Sequence, residues 1–241
     1  MAALGSVGKA CTPPNDKTGH KSRSKEKEPQ KALAASPWNV PAVQYFTGPA
    51  MLPIVTEELE GLKFSLFAQQ YSVDHTGCFV ILVKQLTKGV RVRFLLDKGQ
   101  FFSPSCARQP LRLKEAYDAG AEMRIKRPPA GGFSCSHAKC LICDEKTVLD
   151  GSVNMTHNGF ENNKEHMYRI TEPQVVAEVL EDFGNWWASA EPVTQKEIDE
   201  MMEKYTQKEQ EKRDKNDDRR SRSLSRGPSR SLSRELETVA E

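Results

Sequence analysis

The chain has 241 residues, 37% of them hydrophobic and 28% charged, with a formal net charge of +2. That length holds one or two domains, and the near-neutral balance excludes any argument from overall charge to a polyanionic partner. No run reaches the ~18 apolar residues of a membrane span, and the opening "MAALGSVGKACTPPNDKTGHK" lacks the apolar centre of a secretory signal, so an intracellular protein is expected, in the nucleus, the cytoplasm or at the mitochondrial surface.

Residues 1–40 are rich in Lys, Ser and Pro. Such a segment buries too little surface to offset its ordering entropy and is read as a disordered tail. Apolar residues thicken across 41–190, which reads as one domain with one core. Val43, Tyr45 and Thr47 alternate with Gln44 and Phe46, as in a strand. Leu52, Val55, Leu59 and Leu62 recur at helical spacing. "KFSLFAQQYSV" is a predicted strand, "GCFVILVKQLTKG" a helix ending at Gly89, and "VRVRFLLD" a buried strand. A helix follows from Pro110 to Ala119 with Gly120 as its stop, then the strand "AEMRIKRP". Beyond the loop "PPAGGFS", whose Phe133 suits either a base or acyl contact or the core, come the strands "HAKCLICD", "TVLDGS" and "HMYRITE". "PQVVAEVLEDFGNWWAS" is a helix with Pro173 in its first turn. Strands alternating with helices predict a layered α/β fold, and the several late strands a mixed sheet.

Residues 191–219 read as a charged helical extension on which Ile198, Met201, Met202 and Tyr205 form a short apolar stripe. Residues 220–241 alternate Arg and Ser and read as a second disordered tail. Its arginines suit RNA phosphates, and phosphorylation by a kinase would cancel that charge.

The six cysteines show no paired framework, which fits a reducing compartment. Cys140 and Cys143 form C-x-x-C, but an offset of three puts them on opposite faces of a strand. No second pair follows at zinc-finger spacing. They are read as structural, with no metal and no cofactor expected. His75, near Asp74 and Cys78, is read as loop packing, and His157 and His166 as non-catalytic.

The chemistry concentrates in "CSHAKCLICDEKTVLDGSVN", Cys135 to Asn154. Positions 137 and 139 share one face of a strand, so His137 and Lys139 project together. Ser152 and Asn154 repeat that offset after the next strand, and a hairpin between the two strands would bring all four to one sheet edge. This set suits a phosphodiester. Lys139, Asn154 and Ser152 can hold developing negative charge, and a neutral imidazole on His137 can attack phosphorus. Asp144, at an odd offset from Lys139, should point away and serve the backbone. Gly151 belongs to the turn.

These residues spell H-x-K-x4-D-x6-G-S-x-N, whose chance occurrence is on the order of 10⁻⁸ per start point. The chain thereby resembles the phospholipase D superfamily, over roughly Val43 to Trp187 and including "GVRVRFLLD" and the "NKE" at Asn163 to Glu165. The resemblance implies an α/β/α layered sandwich with a mixed central sheet and one half-site per chain. It implies a metal-independent phosphodiesterase working through a phosphohistidine. It also implies that Glu165 orients the His137 ring, and that a homodimer completes the site with a second His137. Short single-motif members include bacterial endonucleases and the mitochondrial cardiolipin hydrolase/Zucchini group, which is similar in size and plan. The implied substrate is a phospholipid such as cardiolipin or a single-stranded nucleic acid. The alternative is a non-catalytic scaffold that engages RNA or protein through its Arg/Ser tail.

Overall fold

The computed structural model describes residues 41–126 and 135–225. The expectations for residues 1–40, for Phe133 and for the Arg/Ser segment past Ser225 lie outside them. The described elements are β1 (Val43–Thr47), α1 (Met51–Gly61), β2 (Ser65–Gln70), α2 (Thr76–Thr87), β3 (Arg91–Asp97) and α3 (Lys98–Phe102), then α4 (Gln109–Asp118) and β4 (Glu122–Lys126). After these come β5 (Lys139–Cys143), β6 (Thr147–Gly151), a π-helical turn (Asn158–Asn162), β7 (His166–Ile170), α5 (Pro173–Ala188), β8 (Glu191–Pro192) and α6 (Gln195–Ser225).

The strands form one sheet in the order β1-β7-β6-β5-β2-β3-β4-β8. β2, β3 and β4 pair in parallel and the remaining neighbours are antiparallel. Period-2 alternation sends side chains to two cores. Leu66, Ala68, Val92, Phe94, Leu96, Leu141 and Cys143 meet α1, α2, α4 and the start of α6. Phe67, Leu95, Cys140, Ile142 and Val148 meet Val176, Phe183 and Trp187 of α5. Helices thus cover both faces of a mixed sheet, the α/β/α sandwich expected from the sequence. Cys140 and Cys143 lie in different cores, and burial lifts the Cys140 thiol to about 12. Trp187 is core, stacked on Phe183 and flanked by the guanidinium groups of Arg93 and Arg124.

The sequence reading did not anticipate α3. Its signal was present in "DKGQ": Asp97 caps the helix by accepting from the Gln100 N–H at 2.9 Å, the first half of a capping box. α6 runs through Ser225, into the Arg/Ser segment that the sequence reading begins at position 220. Among the described residues no helix is long and apolar enough to cross a membrane.

Candidate active site

β2 and β3 end at Gln70 and Asp97, while antiparallel β5 begins at Lys139 directly opposite Gln70. β6 ends at Gly151 opposite Met167, just inside the start of β7. One end of the sheet therefore gathers Tyr71, Asp97, His137, Lys139, Ser152 and Glu165. In open α/β sheets, ligands bind outside the carboxyl ends of the parallel strands.

His137 lies two residues ahead of β5 and is exposed. Its ring is 4.6 Å from that of Tyr71. Lys139 is buried, 6% exposed. Its Nζ lies 2.8 Å from His137 Nδ1, donates to the His137 carbonyl, and stands 5.2 Å from the centre of the Tyr71 ring. The lead-in to β5 is pinned from two neighbouring strands. Ser136 N–H donates to Asp97 at 2.9 Å, and Gln69 Nε2 donates to Ser136 Oγ at 3.3 Å. Asp97 thus caps α3 with one carboxylate oxygen and fixes the residue before His137 with the other.

Partial desolvation, and then the Lys139 charge, hold the His137 imidazole below the usual histidine value, with Asp97 pulling the other way. Burial likewise lowers the Lys139 ammonium, opposed by Cys135 and Glu165.

Asn154 presents its carbonyl oxygen to the Ser72 N–H at 3.2 Å, which turns its amide NH₂ the other way. Ser152 Oγ donates to Glu165 and accepts from the His166 N–H at 3.1 Å. Asn163 Nδ2 donates to the other Glu165 oxygen at 3.2 Å. The contact expected between Glu165 and His137 is not among those of the described residues. Glu165 spends its hydrogen bonds on Ser152 and Asn163, and only its charge reaches Lys139. Gly151 is required by space, because a Cβ there would come within 2.3 Å of the His166 carbonyl oxygen.

Asp144 lies at the far end of the β5–β6 hairpin. It accepts from the N–H groups of Lys63, Phe64 and Ser65 at 2.9, 2.8 and 2.9 Å. Burial pushes its carboxyl pKa up, but these three donors outweigh burial and the net shift is downward. The sequence reading missed Tyr71 and Asp97. Tyr71 gave no signal, whereas Asp97 closes the "VRVRFLLD" strand as a cap residue.

A second cluster joins His75, 6% exposed, with His157 and Glu161. By type this is a two-His, one-carboxylate donor set. Its nitrogens are already committed. His75 Nδ1 accepts the Cys78 N–H that caps α2 at 3.2 Å, which leaves the proton on Nε2, 4.0 Å from Glu161. His157 Nε2 accepts from Thr76 and its Nδ1 faces Glu161 at 3.3 Å. A metal would have to displace both protons and the helix cap. The arrangement serves instead to tie the turn after Asn154 to the start of α2.

Residues 56–187 match the family model described as the PLD-like domain of cardiolipin synthase. The chain belongs to this phospholipase D-like family. It is 28% identical over 147 residues to a phospholipase D of Rickettsia typhi, covering 59% of this chain and 65% of that protein. It is 29% identical over 131 residues to the mitochondrial cardiolipin hydrolase of Mus musculus, covering 54% of this chain and 53% of that protein. The chain thus spans less than two thirds of the length of these relatives. Among solved structures, it matches Nuc of Salmonella typhimurium, a phospholipase D family member, at a TM-score of 0.56 and 22% identity over 64% of this chain and 98% of that one. NucT from Helicobacter pylori matches at 0.55 and 17%, over 63% and 98%. These two likenesses show the shared fold of the phospholipase D-like domain.

Proposed function

We propose that this phospholipase D-like chain is a metal-independent phosphodiesterase with His137 as its nucleophile. The observation that carries the reading is an exposed imidazole with a buried ammonium 2.8 Å from it. An incoming phosphate oxygen competes with His137 Nδ1 for Lys139, which frees the imidazole lone pair and neutralises the phosphate. Asn154 offers its amide NH₂ to the remaining oxygens, and Ser152 its hydroxyl proton once that turns from Glu165. An imidazole nitrogen then forms a bond to phosphorus as the bond to the leaving oxygen breaks. That oxygen takes a proton from His137 of another copy of the chain, whose ring the negative charge of the bound phosphodiester keeps protonated. The second imidazole, now neutral, removes a proton from water, water attacks phosphorus, and the N–P bond breaks. Among the described residues, His75 and His157 are committed to Glu161, and His166 stacks on Tyr45, which favours a homodimer as the source of the second histidine. Glu165 acts as a positioning residue through Ser152.

The substrate is a phospholipid such as cardiolipin or a single-stranded nucleic acid, in keeping with a likeness to the cardiolipin hydrolase group. Purified protein in EDTA is incubated with labelled single-stranded RNA, with single-stranded DNA and with cardiolipin vesicles, each beside His137→Ala. Cleavage of at least one substrate, lost in the variant, is expected. Cleavage of none by dimeric protein, or cleavage that survives His137→Ala, overturns the reading in favour of a scaffold.

A further inference from the structure

A groove of about 200 Å³ runs between α6 and the α3–α4 connection. One of its walls, α6, lies beyond the residues matched by the family model, which end at 187. The stripe of α6 that faces the domain begins as Ile198 and Met201, both fully buried. It continues at steps of four, three and four through Tyr205, Lys208 and Lys212. The face that starts as core therefore changes from apolar to cationic along its length, and its exposed Lys208 and Lys212 line the open groove.

Lys204 joins this row from the adjoining face, with its Nζ 4.6 Å from the centre of the Phe102 ring. Glu209 is the acid in the groove lining, against three lysines. Lys204 and Lys212 hold Glu200 and Glu209 in exposed one-turn pairs at 2.7 and 2.6 Å, and such pairs give way readily to a stronger anion. Lys208 has no ion-pair partner among the described residues. The row spans ~12 Å along the helix, long enough to meet more than one backbone phosphate. Phe102 and Tyr205 offer rings beside it, the combination that single-stranded nucleic-acid grooves use.

A chain of hydrogen bonds also links the groove's lining to the candidate active site. Ser105, in its lining, gives both its N–H and its hydroxyl to Gln100 Oε1, at 3.0 and 3.1 Å. Gln100 Nε2 donates to the Tyr71 hydroxyl at 2.8 Å, and Tyr71 lies against His137. Lipid surfaces demand projecting apolar side chains. The large exposed hydrophobics among the described residues are Val43, Tyr45, Phe64, Val80 and Tyr168, none of them on α3, α4 or α6.

We propose that the groove between α6 and the α3–α4 connection binds the phosphate backbone of a single-stranded nucleic acid and leads it to His137. The proposal rests on the phosphodiesterase reading for its destination but is tested by binding alone. The full chain carrying His137→Asn is titrated with fluorescein-labelled RNA of about 20 nucleotides, and anisotropy is followed across salt. The groove variant adds K204Q, K208Q and K212Q. A charge-matched control adds K84Q, K88Q and K114Q. Glutamine keeps helix propensity, and circular dichroism checks the fold. The groove variant is expected to bind about tenfold more weakly at low salt, with its salt slope shallower by about 2, while the control matches the parent. Equal losses in groove variant and control overturn the proposal. So does a groove variant that keeps RNA binding but loses binding to cardiolipin vesicles. Hydrolysis of a small chromogenic diester by the His137 enzyme reports separately on the phosphodiesterase reading, so either can fail without the other.

Discussion

His137 owes its low proton affinity first to partial desolvation and then to the cation two residues along the same strand face. The sign fixes a pH dependence. A lowered pKa keeps the lone pair available to a pH below the ordinary histidine value, so the acidic limb of kcat/KM should fall below about 6.5. Replacing Lys139 by Gln removes the charge that helps depress it. The limb and the ring's NMR titration should both move up, while kcat drops by about 10²–10³ for the lost phosphate donor. A limb that stays in place would leave Lys139 without an electrostatic hold on His137.

His75 provides a second residue-scale test. Burial, and then the neighbouring His157, push its pKa down. The unfolded chain therefore takes up a proton that the folded chain refuses. Stability is full above the unfolded value near 6.5 and is lost as pH falls toward the folded pKa. His75→Asn keeps a side-chain cap for α2 but cannot titrate. Melting curves from about pH 7 to 5 should be flatter for this variant than for the parent.

At the scale of elements, the β5–β6 hairpin aligns the site from a distance. Both central residues of its turn, Asp144 and Glu145, have positive φ, at 51° and 56°, the type I′ geometry that matches strand twist. Asp144 meets both demands. It tolerates the left-handed region and ties the turn to the N–H groups that open β2. Asp144→Ala should cost about 2–3 kcal/mol, read as a lower denaturant midpoint, although the residue is about 16 Å of chain away from Lys139. Gly151→Ala should cost about 3 kcal/mol by forcing β6 from β7.

The pairing of His137 with Lys139 was legible in the sequence because strand alternation is strictly periodic. The β5–β6 pairing that sets the end of β6 beside the start of β5 was legible once the hairpin was assumed. The contacts of Tyr71 and Asp97 were not, because registers between strands 40 to 70 residues apart leave no local trace. Glu165 was carried over by likeness, and its partner, Ser152, depends on a crossing between β6 and β7 that a single sequence does not reveal.

For the whole molecule, alternation of strands and helices was enough to forecast a mixed sheet covered on both faces, since each apolar face demands a cover. The strand order was not forecast, because antiparallel β5 could have joined either side of the parallel group. A site holding one committed nucleophile per chain predicts a dimer in solution, with light scattering giving about twice the 27.1 kDa chain mass. Excess His137→Ala mixed with wild type and allowed to exchange should depress wild-type turnover, because mixed dimers hold a single competent histidine. Undiminished turnover after proven exchange would mean that one chain suffices.

The pairing of β1 with β7 sets Val43 against Ile170 across more than a hundred residues of intervening chain. During synthesis β1 emerges early and has no neighbour until β7 follows it out. Closing so long a loop is entropically slow, so this edge should be the last part of the sheet to form and the first to exchange its amide protons. Until then Tyr45 and Phe46 wait on an unpaired strand, a template for misassembly. The same order of events means that Thr47, which donates to the Glu165 carbonyl from β1, joins the active-site end only as folding finishes.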